Sequence, residues 1–184
     1  MMKYLLSTLF FKIFGWKVVG GKDYPDKCVV ICAPHTSNWD FFVGMSYAYV
    51  LKVRFKYLMK KELFLPILGK LFKLNGGIPV ARNERSNLVN FVTDLFKNNE
   101  KLYFVITPEG TRSWVKKWKT GFYYMSLKAK VPILLLKIDY KLKEIGVISE
   151  FYPSGNLEND MKYIEQKYKS VNAKFPKLYN PIIL

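Results

Sequence analysis

His35 is the only histidine in the 184-residue chain, and Asp40 follows it by five positions. On one continuous helix that spacing would place the two side chains about 140° apart, so they can meet only if His35 lies in a loop before a helix. Ser37 is a good N-cap residue and Asp40, three positions later, fits a capping-box pattern. We therefore predict that a loop presents an imidazole to a carboxylate in the first turn of the next helix.

That pairing has a defined proton chemistry. A neutral imidazole with one nitrogen bonded to a carboxylate is held in a single tautomer, and its other nitrogen is free to accept a proton from a hydroxyl. No G-x-S-x-G pattern supplies a serine nucleophile nearby, so we expect the substrate to provide the hydroxyl. The alternative is that Asp40 only caps its helix and His35 is a loop residue without a catalytic role.

A polar loop is predicted directly after an apolar strand, in the run from Pro108 to Ser113. Gly110 permits close approach of a ligand to the backbone, and Arg112 offers a guanidinium fork suited to phosphate. Thr111 can donate a hydrogen bond, whereas Glu109 is expected to shape the loop through an ion pair with an arginine rather than to act as an acid. The alternative is a polar turn that binds nothing.

Two further segments are weaker candidates for ligand binding. In the segment from Gly76 to Arg82, the glycines end one helix and a short strand is followed by Arg82. An arginine in that position is usually a surface residue. Lys119 to Phe122 opens a helix whose free amides can attract an anion. Helix initiation without any ligand is the simpler explanation of that segment.

The apolar pattern alternates between strand-like and helix-like segments along the chain. Strands are predicted at 28–33, 54–59, 78–81, 102–107, 131–139 and 145–151, with helices between and after them at 38–51, 64–74, 88–96, 120–130 and 157–168. This alternation predicts an α/β fold with a mostly parallel sheet covered by helices on both faces. Loops at the carboxyl ends of such strands gather at one edge, so His35, Arg82 and the loop 108–112 are expected to be neighbours.

The net charge is +16, from 30 basic and 14 acidic residues. A charge of that size indicates an anionic partner, which can be nucleic acid, anionic lipid or a phosphorylated substrate. The sequence contains no helix-turn-helix, zinc-finger or aromatic RNP pattern. We therefore expect an anionic membrane surface and no nucleic acid, with solvated surplus lysines as the alternative.

The N-terminal segment 1–21 contains a predicted amphipathic helix from Lys3 to Phe14, which can lie in a membrane interface or pack on its own domain. No apolar run reaches the roughly 18 residues needed to cross a bilayer, so membrane contact is expected to be peripheral. Cys28 and Cys32 are interpreted as unpaired core residues, which suggests a reducing compartment.

Four blocks, HTSNWD, GGIPVAR, PEGTRS and VPI, run in that order from His35 to Ile133. They resemble the four ordered blocks of the glycerolipid acyltransferases, the family that contains 1-acylglycerol-3-phosphate O-acyltransferase. The chain departs from the family pattern at Ala81, where an acidic residue is frequent, and in its short segment before the histidine block. It looks like a compact bacterial branch of the family.

The resemblance implies that His35 is a general base and that Asp40 is its partner. It also implies that residues 109–112 bind the acceptor or form its loop, and that Arg82 binds the acceptor's phosphate. Acyl-CoA or acyl carrier protein would donate the acyl group, and no metal or other cofactor would be required. The protein would be cytoplasmic and peripherally attached to the inner face of the cell membrane.

The expected function is transfer of a fatty acyl group from an acyl-CoA or acyl carrier protein thioester to a hydroxyl of lysophosphatidic acid in phospholipid synthesis. One domain, 1–184, would carry it out with a catalytic core at 28–140, and backbone amides near Gly110 are candidates to stabilise the oxyanion. Two alternatives remain: another lysolipid acceptor, such as an aminoacyl lipid, and a non-catalytic module that binds anionic membranes or nucleic acid through its lysines.

Overall fold

The computed structural model describes residues 1–21, 23–81 and 87–183. Within them the strands are β1 (Lys17–Val19), β2 (Lys27–Ala33), β3 (Phe55–Lys60), β4 (Gly77–Val80), β5 (Leu102–Ile106), β6 (Ile133–Asp139) and β7 (Glu144–Phe151). The helices are α1 (Met2–Phe14), α2 (Trp39–Val50), α3 (Leu68–Leu74), α4 (Leu88–Lys97), α5 (Gly121–Ala129) and α6 (Leu157–Tyr168).

The strands form one sheet in the order β1-β7-β6-β2-β5-β3-β4. Strands β2 to β6 run parallel to one another, whereas β7 pairs antiparallel with β6 and β1 pairs parallel with β7. In the centre of the sheet Ile31 of β2 is level with Ile106 of β5. The loops that follow β2 and β5 therefore leave the same edge of the sheet side by side, as the sequence predicted.

Helices cover both faces of the sheet. Cys28, Val30 and Cys32 alternate along β2 toward the core that contains side chains of α1 and α2, and the intervening residues face the core built from α4, α5 and α6. Burial on both faces explains why β2 is an uninterrupted apolar run. The predicted α/β class is confirmed, and both cysteines are buried and unpaired.

The element boundaries differ from the predictions by a few residues. Helix α3 begins at Leu68, later than predicted, and Pro66 lies in the non-helical stretch before it. The sequence analysis did not predict β1, since a three-residue strand at the sheet edge is too short to show an alternating pattern.

Helix α1 packs on the protein in an orientation that the apolar pattern did not predict. Ser7 and Phe11, which belong to its more polar side, are buried. Members of the predicted apolar arc instead face outward, with Leu6 59% and Ile13 67% exposed. The helix therefore packs on its own domain and also presents an apolar stripe to its surroundings. In the described part of the chain, no helix is long and apolar enough to cross a membrane.

Candidate active site

His35 lies in the loop between β2 and α2, as the sequence predicted, and its Nδ1 is 3.0 Å from Oδ2 of Asp40. The carboxylate is buried, whereas the imidazole side chain keeps 22% of its surface exposed. In the neutral tautomer that donates from Nδ1 to the carboxylate, Nε2 carries a lone pair. The geometry thus combines a buried carboxylate with an imidazole that a substrate can reach.

Asp40 is held by donors on both of its oxygens. Oδ2 accepts hydrogen bonds from the backbone amides of Thr36 and Ser37, each at 2.8 Å, and Oδ1 accepts one from the Tyr140 hydroxyl at 2.6 Å. Burying a carboxylate is costly unless such bonds replace its water. The hydrogen bond from the Ser37 amide is one half of the predicted capping box. The other half is absent among the described residues, because α2 has Asn38 as its N-cap and the Ser37 hydroxyl accepts a hydrogen bond from the amide of Trp39. The bonds to Asp40 together fix the orientation of the carboxylate toward the imidazole.

Tyr140 is a site residue that the sequence analysis missed. It lies in the turn after β6, which is the strand next to β2 in the sheet. Burial and the bond to Asp40 raise the pKa of the Tyr140 phenol well above its ordinary value, so the hydroxyl stays protonated and donates. Only the strand order, which the sequence did not fix, would have placed this turn beside the histidine loop.

Glu109 connects the loop after β5 to the histidine loop. Its Oε1 accepts a hydrogen bond from the backbone amide of His35 at 2.9 Å, and its side chain is buried. Its Oε2 has no hydrogen-bond partner among the described residues. Within that part of the chain the carboxyl bonds an amide rather than the expected arginine, so it shapes the site by fastening two loops together.

The remainder of the loop after β5 is more exposed. Gly110 has a left-handed φ of 65°, and its amide donates to the carbonyl of Thr107 at 3.0 Å. That amide is therefore already engaged and is a poor candidate for the predicted oxyanion donor. Thr111 and Arg112 are on the surface of the loop. The side chain of Lys119 crosses over Gly110, because a Cβ added there would lie 2.5 Å from Nζ.

Arg82, the remaining predicted site residue, lies outside the described residues. The part of the chain that is described contains no cluster of three or more histidine, cysteine, aspartate or glutamate side chains arranged to hold a metal ion.

A family model described as Acyltransferase matches residues 16–138 of this chain. The chain belongs to the acyltransferase family. The matched range contains the His35 and Asp40 loop, the loop with Glu109 and most of β6. The family resemblance read from the four blocks is thereby confirmed.

Several acyltransferases are similar to this chain. The 1-acyl-sn-glycerol-3-phosphate acyltransferase of Escherichia coli (strain K12) is 27% identical over 110 residues, which are 57% of this chain and 44% of that protein. The lysophospholipid acyltransferase LPCAT4 of Xenopus tropicalis is 26% identical over 97% of this chain and 35% of its own length. The chain thus spans less than half the length of these curated acyltransferases.

A solved acyltransferase shares the fold. The crystal structure of the 1-acyl-sn-glycerophosphate (LPA) acyltransferase PlsC from Thermotoga maritima matches with a TM-score of 0.64 and 18% identity. The match covers 94% of this chain and 80% of that one. An acyltransferase fold therefore extends over nearly the whole chain.

The buried carboxyl of Glu109 predicts a pH-dependent stability. Burial raises its pKa from 4.5 to about 7, against the opposing effect of the hydrogen bonds from backbone amides. The contribution of this carboxyl to the free energy of unfolding is complete below pH 4.5, where it is protonated in both the folded and the unfolded protein. That contribution is lost as the pH rises to about 7, because the unfolded state releases its proton first. Relative to Glu109→Gln, the wild-type free energy of unfolding is expected to fall by about 3 kcal/mol across this range.

Urea unfolding at both ends of that pH range measures this difference. Glu100→Gln removes an exposed carboxyl and serves as the matched control, whose profile should follow that of the wild type. Parallel profiles for the wild type and Glu109→Gln would show that the folded carboxyl is ionised.

Proposed function

We propose that this acyltransferase moves a fatty acyl group from an acyl-CoA or acyl carrier protein thioester to a hydroxyl of lysophosphatidic acid, as a step of phospholipid synthesis. The observation that carries the proposal is the contact between His35 and the buried Asp40. That contact provides a general base at a partly exposed position. Family membership makes acyl transfer the reaction that such a base would serve.

The proposed mechanism is direct transfer without an acyl-enzyme. Nε2 of His35 removes the proton of the acceptor hydroxyl while the hydroxyl oxygen attacks the thioester carbonyl carbon. The new C–O ester bond forms, the C–S bond breaks, and the departing thiolate takes the proton back from the imidazolium. Asp40 stabilises the imidazolium between these two steps, and the reaction as proposed uses no metal or other cofactor.

The remaining predicted residues are assigned to acceptor binding. Arg112 lies on the exposed part of the loop that Glu109 fastens to the histidine loop, and we assign it, with Arg82, to the acceptor's phosphate. Gly110 and Thr111 form the turn that presents Arg112. Lys119, whose side chain crosses this turn, adds a cation beside it. The catalytic core is proposed to span 28–140.

We also propose that the protein is cytoplasmic and attaches peripherally to the inner face of the cell membrane. Two features support this location. The net charge of +16 favours an anionic surface, and α1 turns large apolar side chains outward. An interfacial helix of this kind is stabilised when its apolar side is buried among lipid chains.

A second candidate keeps the chemistry and changes the acceptor to another lysolipid. It is favoured by the match over nearly the whole chain to a relative named a lysophospholipid acyltransferase. It is also favoured by Ala81, which is neutral at a position beside Arg82 where an acidic residue is frequent in the family. The two candidates differ in whether the acceptor carries a terminal phosphate.

Thioester consumption by the purified protein, measured over donors and lysolipids, tests both candidates. With lysophosphatidic acid as acceptor, Arg112→Ala is expected to raise the acceptor KM by roughly 10- to 100-fold, since a charge-assisted hydrogen bond to phosphate is lost. Arg54→Ala is the matched control, because Arg54 is also exposed and lies before β3, at the amino ends of the parallel strands and so away from the loop with Arg112.

Two outcomes would contradict the first candidate. Equal turnover of a lysolipid without a terminal phosphate, insensitive to Arg112→Ala, would favour the second acceptor class. Salt-sensitive binding to anionic vesicles with no thioester consumption for any acceptor would favour a non-catalytic module.

A further inference from the structure

A groove of about 220 Å³ lies between α1, α2 and the turn after β6, on the side of Asp40 that Tyr140 occupies. Its apolar walls are formed by Phe10, Phe14, Trp16, Trp39 and Val43. The proposed reaction does not use these residues.

Two lysines complete the lining of this groove. Nζ of Lys174 lies 5.0 Å from the ring centroid of Trp39 and 5.7 Å from that of Tyr140. Nζ of Lys143 lies 5.5 Å from the ring centroid of Trp16. Neither lysine forms an ion pair with a carboxylate in the described part of the chain. Two cations therefore rest on aromatic walls, where they are available to an anionic ligand.

The groove is continuous with the apolar stripe of α1. Phe10 lies one helical turn from both Leu6 and Phe14, which are 59% and 51% exposed. Trp39, on the opposite wall, is 48% exposed. A ligand that matches this surface has an anionic group for the two lysines and an alkyl chain for the aromatic walls.

The position of the groove indicates that its occupant is not the reacting acceptor. His35 is not among the groove residues in the described chain, and its Nε2 lies on the side of the ring away from the Nδ1 that bonds Asp40. Tyr140 lies between the groove and Asp40, because its ring lines the groove and its hydroxyl donates a hydrogen bond to Asp40.

We propose that this groove binds one anionic phospholipid of the membrane leaflet on which the protein sits. Lys143 and Lys174 hold the phosphate, and one acyl chain lies along Phe10 and Phe14. Bound lipid packs against Tyr140, which positions Asp40, so occupancy links the lipid composition of the membrane to the orientation of the catalytic carboxylate. Arg112, which is assigned to the acceptor phosphate, is not among the residues of this groove.

Binding of monomeric dioctanoyl phosphatidylglycerol, measured by titration calorimetry on the His35→Ala protein, tests this proposal. The Lys143→Gln/Lys174→Gln change is expected to raise the Kd about tenfold or more, since two attractive cations are lost. Lys128→Gln/Lys130→Gln is the matched control. It removes the same charge from a cleft beside Lys27, at the amino end of β2, and should leave the Kd unchanged.

The binding result does not depend on the proposed function, because the protein titrated lacks the catalytic imidazole. Equal weakening of phosphatidylglycerol binding in both double variants, or no weakening in either, would overturn the proposed site. Inorganic phosphate binding as tightly as the lipid would reduce the site to an anion site and overturn the lipid assignment. Competition by an equimolar amount of lysophosphatidic acid would identify the acceptor as the occupant and overturn it as well.

An activity measurement tests the proposed link to the dyad in the otherwise wild-type enzyme. In neutral detergent micelles, added phosphatidylglycerol is expected to stimulate acyl transfer. The Lys143→Gln/Lys174→Gln protein should keep its basal rate and lose the stimulation, whereas the control variant should retain both. Stimulation that persists in the groove variant would contradict the link to Asp40.

Discussion

The His35→Ala protein is expected to lose about 10²- to 10⁴-fold in kcat for acyl transfer, the range that general-base assistance contributes. Substrate positioning by the two loops should remain, because Glu109 bonds the backbone amide of residue 35 and not its side chain. The donor KM is therefore expected to change little. Release of the free thiol from the donor in the presence of acceptor measures the rate.

Thermal unfolding of the same variant provides its control. The imidazole is partly exposed and, among the described residues, its side-chain hydrogen bond is to Asp40, so the melting temperature should stay within a few degrees of the wild type. Full activity in a folded His35→Ala protein would remove the general base from the mechanism.

The Asp40→Asn protein is expected to lose on the order of 10³- to 10⁴-fold in kcat, as when the aspartate of a serine-histidine-aspartate triad is replaced by asparagine. The asparagine side chain has the same size, and its oxygen can still accept hydrogen bonds from the backbone amides of Thr36 and Ser37. It carries no charge to stabilise the imidazolium. In the flipped orientation, in which its NH₂ group faces Nδ1 and the two backbone amides lose their acceptor, it would also hold the imidazole in the wrong tautomer. The same thiol-release assay measures the loss.

Tyr140→Phe is the matched control for the charge of Asp40. It removes one hydrogen bond from the carboxylate while leaving the negative charge and the contact with His35. Its effect should be much smaller than that of Asp40→Asn. If Asp40→Asn kept its activity while His35→Ala lost it, the carboxylate would be only a helix-capping group.

Local patterns in the sequence were sufficient to predict most of the fold and the central contact of the site. The uninterrupted apolar run of β2 predicted a strand buried on both faces, and the spacing of His35, Ser37 and Asp40 predicted a loop followed by a helix. These features depend on neighbouring residues, so the sequence carries them directly.

The features that were missed depend on tertiary arrangement. Tyr140 reaches Asp40 because β6 lies beside β2, and nothing local to its turn indicates that neighbour. The side of α1 that faces the core follows from the placement of Phe11 against the sheet, which overrides the apolar arc. The partner of Glu109 was assigned wrongly within the described chain, because a backbone amide leaves no trace in a sequence pattern.

The alignment of Ile31 with Ile106 has a consequence for how this protein tolerates insertions and deletions. His35 comes four residues after Ile31, and Glu109 comes three residues after Ile106. The hydrogen bond between them therefore depends on the number of residues that separate each one from this pair. Adding or removing a single residue within either strand would turn its side chains to the opposite face and displace one loop from the other. Changes of chain length should therefore be tolerated at the peripheral turns and not between the Ile31–Ile106 pair and the site.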